Sequence, residues 1–193
     1  MSHIGDDLSR GLLKFAEAKP LGERGLRWLK IHLSNLYGYD KASFDERVQF
    51  VHDHLEDIYD SATKPLDGKG WWRTADDPWQ CLACCMELRA ALESPDPLKF
   101  ESNLPVHQDG TCNGLQHYAA LGGDQAGARQ VNLDVTERPS DVYTHVAQMV
   151  EKVIAEDMKI GNKHAIALSG KISRKVVKQT VSTYDSYSLG RVS

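Results

Sequence analysis

A mainly helical α+β fold is what this 193-residue sequence predicts, on three observations. Apolar residues recur every three or four positions through most of the first hundred residues, the spacing of one helix face. Helix start and stop signals stand at the ends of those runs. One short extended, partly apolar segment, Leu104 to Gln108, runs into an acid followed by turn residues, which leaves room for a little sheet.

The elements follow in order. Asp6-Asp7 can cap a run with Leu8, Leu12 and Phe15 on one face, ending before Pro20. Leu26, Leu29, Leu33 and Leu36 form the next stripe, stopped by Gly38. Ser43-Phe-Asp-Glu46 is a capping box, and Phe44, Val48, Val51, Leu55 and Ile58 continue from it at helical spacing through Ser61. A loop with Pro65, Gly68 and Gly70 precedes Trp71-Trp72. Pro78, after Asp77, suits a first helical position and opens a helix bearing Cys81, Cys84 and Cys85. Ser94-Pro-Asp-Pro97 breaks that helix. A further helix starts at Leu115, and Gly122-Gly123 and Val131-Asn-Leu133 mark irregular chain. Pro139-Ser140 starts a helix with Val142, Val146, Met149, Val150 and Val153. A last one spans Ala165 to Thr183, broken or begun near Gly170.

Composition narrows the class. Hydrophobic residues at 41% and charged residues at 26% suit a globular chain with a real core. No apolar run approaches the roughly 18 residues that span a bilayer, so no membrane partner is expected. The N-terminus shows neither a secretory nor a transit signal. A net charge of −4 argues against a generic basic nucleic-acid binder, but the charge is unevenly spread. Lys163, Lys171, Arg174, Lys175, Lys178 and Arg191 face only Asp185, so residues 160–193 carry +5 and residues 1–159 carry −9. A local anion site is compatible with such a distribution. Cys81, Cys84 and Cys85 read as buried core thiols, since the second ligand pair of a zinc site is absent.

Asp109 is the central candidate. An acid at the end of an extended segment, beside a helix N-terminus, can hold a divalent cation while backbone N–H groups face an anion. It can equally cap the helix that follows. Asp109-x-Thr-x-Asn-Gly114 also imitates the start of a calcium loop, but the twelfth position is Ala120, where a bidentate Glu is needed. Lys171, Arg174, Lys175 and Lys178 form one positive stripe on a helix, with Ile172, Val176 and Thr180 or Val181 on the packing side. His52-Asp53-His54 is set aside: Asp53 falls off its helix's apolar stripe and reads as a solvated face.

Asp109-Gly-Thr-Cys-Asn-Gly-Leu-Gln-His-Tyr118 closely resembles the first catalytic motif of single-subunit, phage-type DNA-directed RNA polymerases, in particular the mitochondrial branch. The resemblance extends over His3 to Arg10, Arg24 to His32, Asp77-Pro-Trp-Gln80, Val131-Asn-Leu133, Asp141-Val-Tyr143 and Arg174 to Val181. It implies an incomplete right-hand palm and fingers fragment: residues 1–124 palm-like, 125–181 the start of the fingers, 182–193 a divergent tail. The implied reaction is DNA-templated RNA synthesis, a nucleotidyl transfer from ribonucleoside triphosphates in the mitochondrial matrix. Partners would be DNA template, RNA product and mitochondrial transcription factors. By resemblance Asp109 and the Gly110 carbonyl ligate Mg²⁺, with two ions in the full-length enzyme. Arg174 and Lys178 contact the triphosphate, and Lys178 can protonate the departing pyrophosphate. Tyr143 lies near the nucleotide, and Arg10 and Lys41 face substrate or nucleic acid.

The resemblance breaks after Val181. Relatives carry a Tyr followed by Gly eight residues beyond the lysine, sensing the 2′-hydroxyl; Ser186 stands there, flanked by Tyr184 and Tyr187. No third motif with a second catalytic carboxylate follows. A truncated form, inactive in isolation, is therefore expected. The alternative is a non-enzymatic fragment that binds nucleotide or nucleic acid through its basic helix.

Overall fold

A computed structural model describes residues 5–108, 110 and 112–189, with side chains described up to Val181. It is mainly helical, with one two-stranded sheet among the described residues. The chain divides into two compact units, residues 1–108 and 109–193.

The first unit holds α1 (Asp7–Leu12), β1 (Lys19–Pro20), α2 (Gly22–Tyr37), α3 (Phe44–Asp53), α4 (Leu55–Thr63), α5 (Pro78–Glu93) and β2 (Glu101–Ser102). The leucine stripe of α2 folds inward as its spacing predicts: Leu29, Leu33 and Leu36 pack with Val51, Ile58, Cys84, Cys85 and Leu88. Each such aliphatic side chain contributes roughly 1.5–3 kcal/mol on full burial, and this cluster is what holds the unit together. Gly38 ends α2 at φ 109°, a left-handed conformation that closes helices at little cost only in glycine. An added Cβ there would come within 2.6 Å of an Asp76 carboxylate oxygen. The Ser43–Glu46 capping box opens α3 with both reciprocal bonds in place. Pro78 is at the first position of α5, and its three cysteines are fully buried and free. Glu87, also buried, is satisfied by Lys14 Nζ at 3.0 Å and Ser102 Oγ at 2.7 Å.

Several expectations need correction. The first helix stops at Leu12, and neither Leu12 nor Phe15 is buried, because Phe15 leaves the helix to donate its N–H to Asn103 O at 2.8 Å. The helix expected from Ser43 to Ser61 is two, parted at His54, whose backbone leaves the helical region and whose Nδ1 lies 2.8 Å from Phe50 O. The strand is not Leu104–Gln108. Antiparallel pairing joins Lys19 with Ser102 and Pro20 with Glu101; Pro105, without an N–H, cannot extend a ladder.

The second unit holds α6 (Asn113–Gly122), α7 (Gln125–Gln130), α8 (Val142–Lys159), α9 (Lys163–Leu168) and α10 (Arg174–Leu189). Its core is small: Ala119, Val131 and Val142, lined by Cys112, Leu115, Tyr143 and Val146. On α8 the buried residues are Val142, Ala147 and Ile154, while Met149 and Val153, expected inside, are more than half exposed. The packed face is rotated from the valine stripe because alanine permits close approach. The last helix is interrupted from Ser169 to Ser173, with Gly170 at φ 73°. α10 then packs through Val177, 6% exposed, whereas Val176 points outward and Lys171 lies before the helix. The backbone beyond Val181 continues as helix to Leu189, with no proline or glycine to stop it.

Candidate nucleotide-binding site

Asp109 lies outside the described residues. The turn that follows it is described at Gly110, which is exposed and leaves no room for a Cβ beside the Asn113 carboxamide oxygen. Cys112, at φ 53°, sits at the N-cap of α6 and passes its carbonyl to Gln116 N at 3.0 Å. Its Sγ lies 2.8 Å from Tyr143 OH, to which it donates. The motif is thereby tied to the first turn of α8.

That first turn is itself fixed from behind. Asn132, at φ 59°, exchanges two hydrogen bonds with Ser140, donating to its carbonyl at 2.9 Å and accepting from its N–H at 2.6 Å. Asp141 then caps α8: Oδ1 accepts from Tyr143 N at 3.2 Å, and Oδ2 accepts from Thr144 Oγ1 at 2.9 Å.

The same Oδ2 accepts from Arg174 Nε at 2.5 Å, and the Arg174 guanidinium lies over the Tyr143 ring, 5.5 Å from its centroid. Burial pushes the Asp141 carboxyl up, but the bonds from Arg174 and Thr144 outweigh it and hold it below the usual carboxylate range. Arg174 opens α10, and Lys178 follows one turn later on the same face, exposed. Glu151, farther along α8, accepts from Gly170 N at 3.4 Å and Ile172 N at 3.3 Å, holding the turn that delivers Arg174. The second unit therefore brings Cys112, Tyr143, Asp141 and Arg174 into one connected set.

Arg10 and Lys41 belong to the first unit. Arg10 is exposed on α1, and Lys41 is exposed and pairs with Asp40 at 2.7 Å. α1 is seated on the start of α5: the Asp7 carboxylate accepts from Trp79 N at 2.8 Å and Gln80 N at 3.2 Å, replacing the missing helix partners of those groups. Gly11 makes the approach close, since a Cβ there would lie 2.9 Å from Trp79 O. His52 and Asp53 are exposed, with Asp53 accepting from Gln49, as a solvated helix face requires.

Sequence reading passed over Asp141 as a site residue. Its place before an apolar run marks it as a helix cap, but a partner 33 residues away leaves no local signal. A groove of about 420 Å³ opens between α6, α7 and α8 around Leu115, Tyr118, Val131 and His145; Arg174 and Lys178 are not among its walls.

A family model for DNA-dependent RNA polymerase matches residues 19–191. The chain belongs to the DNA-dependent RNA polymerase family. The match runs past Val181, so the departure expected there does not end the family likeness. Similar proteins include the mitochondrial DNA-directed RNA polymerase of Neurospora crassa, 61% identical over 95% of this chain, and that of Mus musculus, 57% identical over 94%. DNA-directed RNA polymerase 1, mitochondrial, of Arabidopsis thaliana is 51% identical over 95%. The chain spans 13%, 15% and 20% of the length of these three polymerases. The resemblance to the phage-type, mitochondrial branch is thus borne out, as is the mainly helical α+β class. Polymerases of this family are nucleotidyltransferases, and their reaction generally uses a divalent metal.

Among the described residues no three His, Cys, Asp or Glu side chains converge as a metal cage. The motif itself offers one carboxylate and one backbone carbonyl. These are hard oxygen donors, and magnesium needs only one or two carboxylates when waters and substrate phosphates complete its shell. The donor chemistry fits that ion. Among the described residues no helix is long and apolar enough to cross a membrane.

Proposed function

We propose that this chain supplies the nucleotide-binding part of a mitochondrial enzyme that makes RNA on a DNA template. Residues 1–124 form the palm-like part and residues 125–181 the start of the fingers, a functional division that cuts through the second packing unit. The observation that carries the reading is the pair Arg174 and Lys178, one turn apart at the start of α10, on a chain of the RNA polymerase family. Two cations one turn apart at a helix start match the charge and the oxygens of a triphosphate.

The roles follow from side-chain chemistry. Arg174 presents a planar fork to phosphate oxygens, while Lys178 acts as a point charge and can hand a proton to the departing pyrophosphate. Tyr143 lies against Arg174 and flanks the nucleotide. Asp109 and the Gly110 carbonyl would hold Mg²⁺. When bound, that ion supplies charge neutralisation on the triphosphate and a more acidic RNA 3′-hydroxyl. Arg10 and Lys41 contribute positive charge toward substrate or nucleic acid. DNA template, RNA product and ribonucleoside triphosphates are the partners, with mitochondrial transcription factors joining the whole polymerase.

The test is equilibrium binding of ATP to the purified chain. Arg174→Ala and Lys178→Ala should each weaken it by about tenfold or more, the scale of one charge-assisted hydrogen bond. Unchanged affinity in both variants would overturn the assignment. Binding of a DNA–RNA hybrid should weaken steeply with added salt.

A further inference from the structure

We propose that Asp141 is a positioning residue for Arg174: its carboxylate grips Nε and sets the direction from which the guanidinium meets the triphosphate. The proposal rests on the reading above that Arg174 binds that triphosphate. It adds a residue that touches no substrate and works through its neighbour.

The argument begins with how firmly Asp141 is held. Its carboxylate accepts from Tyr143 N and Thr144 Oγ1, both on the first turn of α8, and its side chain is only 20% exposed. The backbone leading to it is clamped by the reciprocal Asn132–Ser140 pair. Asp141 is therefore a fixed acceptor whether or not Arg174 is present.

Arg174 meets this acceptor through Nε, at 2.5 Å, and its Cζ lies over the Tyr143 ring, 5.5 Å from the centroid. One contact fixes the direction of Nε–H and the other holds the guanidinium carbon over the ring. The backbone of the preceding turn is held by Glu151, also on α8, through Gly170 N and Ile172 N. A single helix thus sets both the entry of α10 and the orientation of its first cation.

Two opposing effects decide what this does to phosphate binding. A carboxylate beside Arg174 offsets part of its positive charge and repels phosphate. Against that, a free arginine must lose large rotamer freedom when it binds, and one already ordered does not. Ordering wins here, because a bidentate fork needs a defined plane as well as a charge, and two independent contacts define it.

The experiment is a double-mutant cycle read by binding of inorganic triphosphate to the 193-residue chain in EDTA. Asp141→Asn is the informative change, since Asn caps helices as well as Asp and keeps α8 begun. It should weaken binding by about fivefold, a loss in the range of a single ion-pair contact. Arg174→Ala should weaken it more. The double variant should bind no worse than Arg174→Ala alone, because Asp141 acts only through Arg174. Asp141→Ser, which also caps, should match Asp141→Asn.

Binding by Asp141→Asn as tight as wild type or tighter overturns the proposal, and so does a double variant weaker than Arg174→Ala. A general structural defect would produce that additive loss. If Arg174→Ala binds normally, or wild type does not bind, the triphosphate reading itself fails, a result separable from the failure of Asp141.

Discussion

The Cys112 thiol donates to the Tyr143 hydroxyl across 2.8 Å, joining the turn after Asp109 to the first turn of α8. The two residues stand 31 positions apart in the chain, on either side of the small core of the second unit.

Tyr143→Phe removes this bond while leaving the ring against Arg174. It should destabilise the second unit by about 1 kcal/mol, the net worth of a typical internal hydrogen bond. Tyr143→Ala, which also removes the ring, should cost more and weaken triphosphate binding too. Urea unfolding checks the first, and the Phe variant matching the Ala variant in both measurements would contradict it.

His32 is a pH-sensitive group of the first unit. It is 3% exposed, and burial first, then the nearby His107 ring at 5.7 Å, lower its pKa to about 4. The folded chain therefore prefers neutral imidazole, while the unfolded chain takes up its proton near pH 6.5. Stability is fully present above about pH 6.5 and falls as pH drops toward about 4, by up to about 3 kcal/mol at that site. His32→Gln should flatten this limb of the stability–pH curve, and an NMR titration placing the His32 pKa above 6 would remove the basis for it.

The thiols divide by burial. Burial raises the Cys84 thiol pKa well above its ordinary value; for Cys85 a hydrogen bond with Cys81 comes first, then burial. In the native chain only Cys112, partly exposed, should react with iodoacetamide at pH 8, and all four should react in urea. Mass spectrometry reads the sites; rapid native labelling of Cys84 would mean that α5 does not pack as described.

Gly38→Ala should destabilise the first unit by about 1–2 kcal/mol, from the left-handed backbone and the Asp76 carboxylate that a Cβ would meet. Asp76→Ala in the same chain should recover part of the loss. A Gly38→Ala chain as stable as wild type in urea would show that the turn has other conformations open to it.

Signals confined to one turn of chain were legible in the sequence. Ser43 with Glu46, Pro78 after Asp77, Gly38 after the leucine stripe and the three helical cysteines all stand where local chemistry puts them. What escaped depends on partners distant in sequence. His54 divides a run whose apolar spacing continues through it: its backbone, at φ −110° and ψ 18°, leaves the helical region, and its ring Nδ1 lies 2.8 Å from Phe50 O. Val177 rather than Val176 faces inward because the approach of α10 to α8 is set by Arg174, Asp141 and Glu151. In the site, Arg174, Lys178 and Tyr143 were visible as residue types in a recognisable order. The carboxylate that joins Arg174 to α8 stood in the sequence only as the first residue of Asp141-Val-Tyr143, with no sign of its partner 33 residues away.

Gly11 gives the first unit a consequence of its own. With no side chain it lets α1 rest directly on the carbonyl of Trp79, and α1 buries no residue that would otherwise fix its depth. A methyl group at position 11 would act as a shim, lifting the whole helix off its seat. Asp7 would lose its reach to the Trp79 and Gln80 N–H groups, and Arg10 would be carried outward with it. The placement of one candidate substrate cation is thus set by a hydrogen atom where every other amino acid has a carbon.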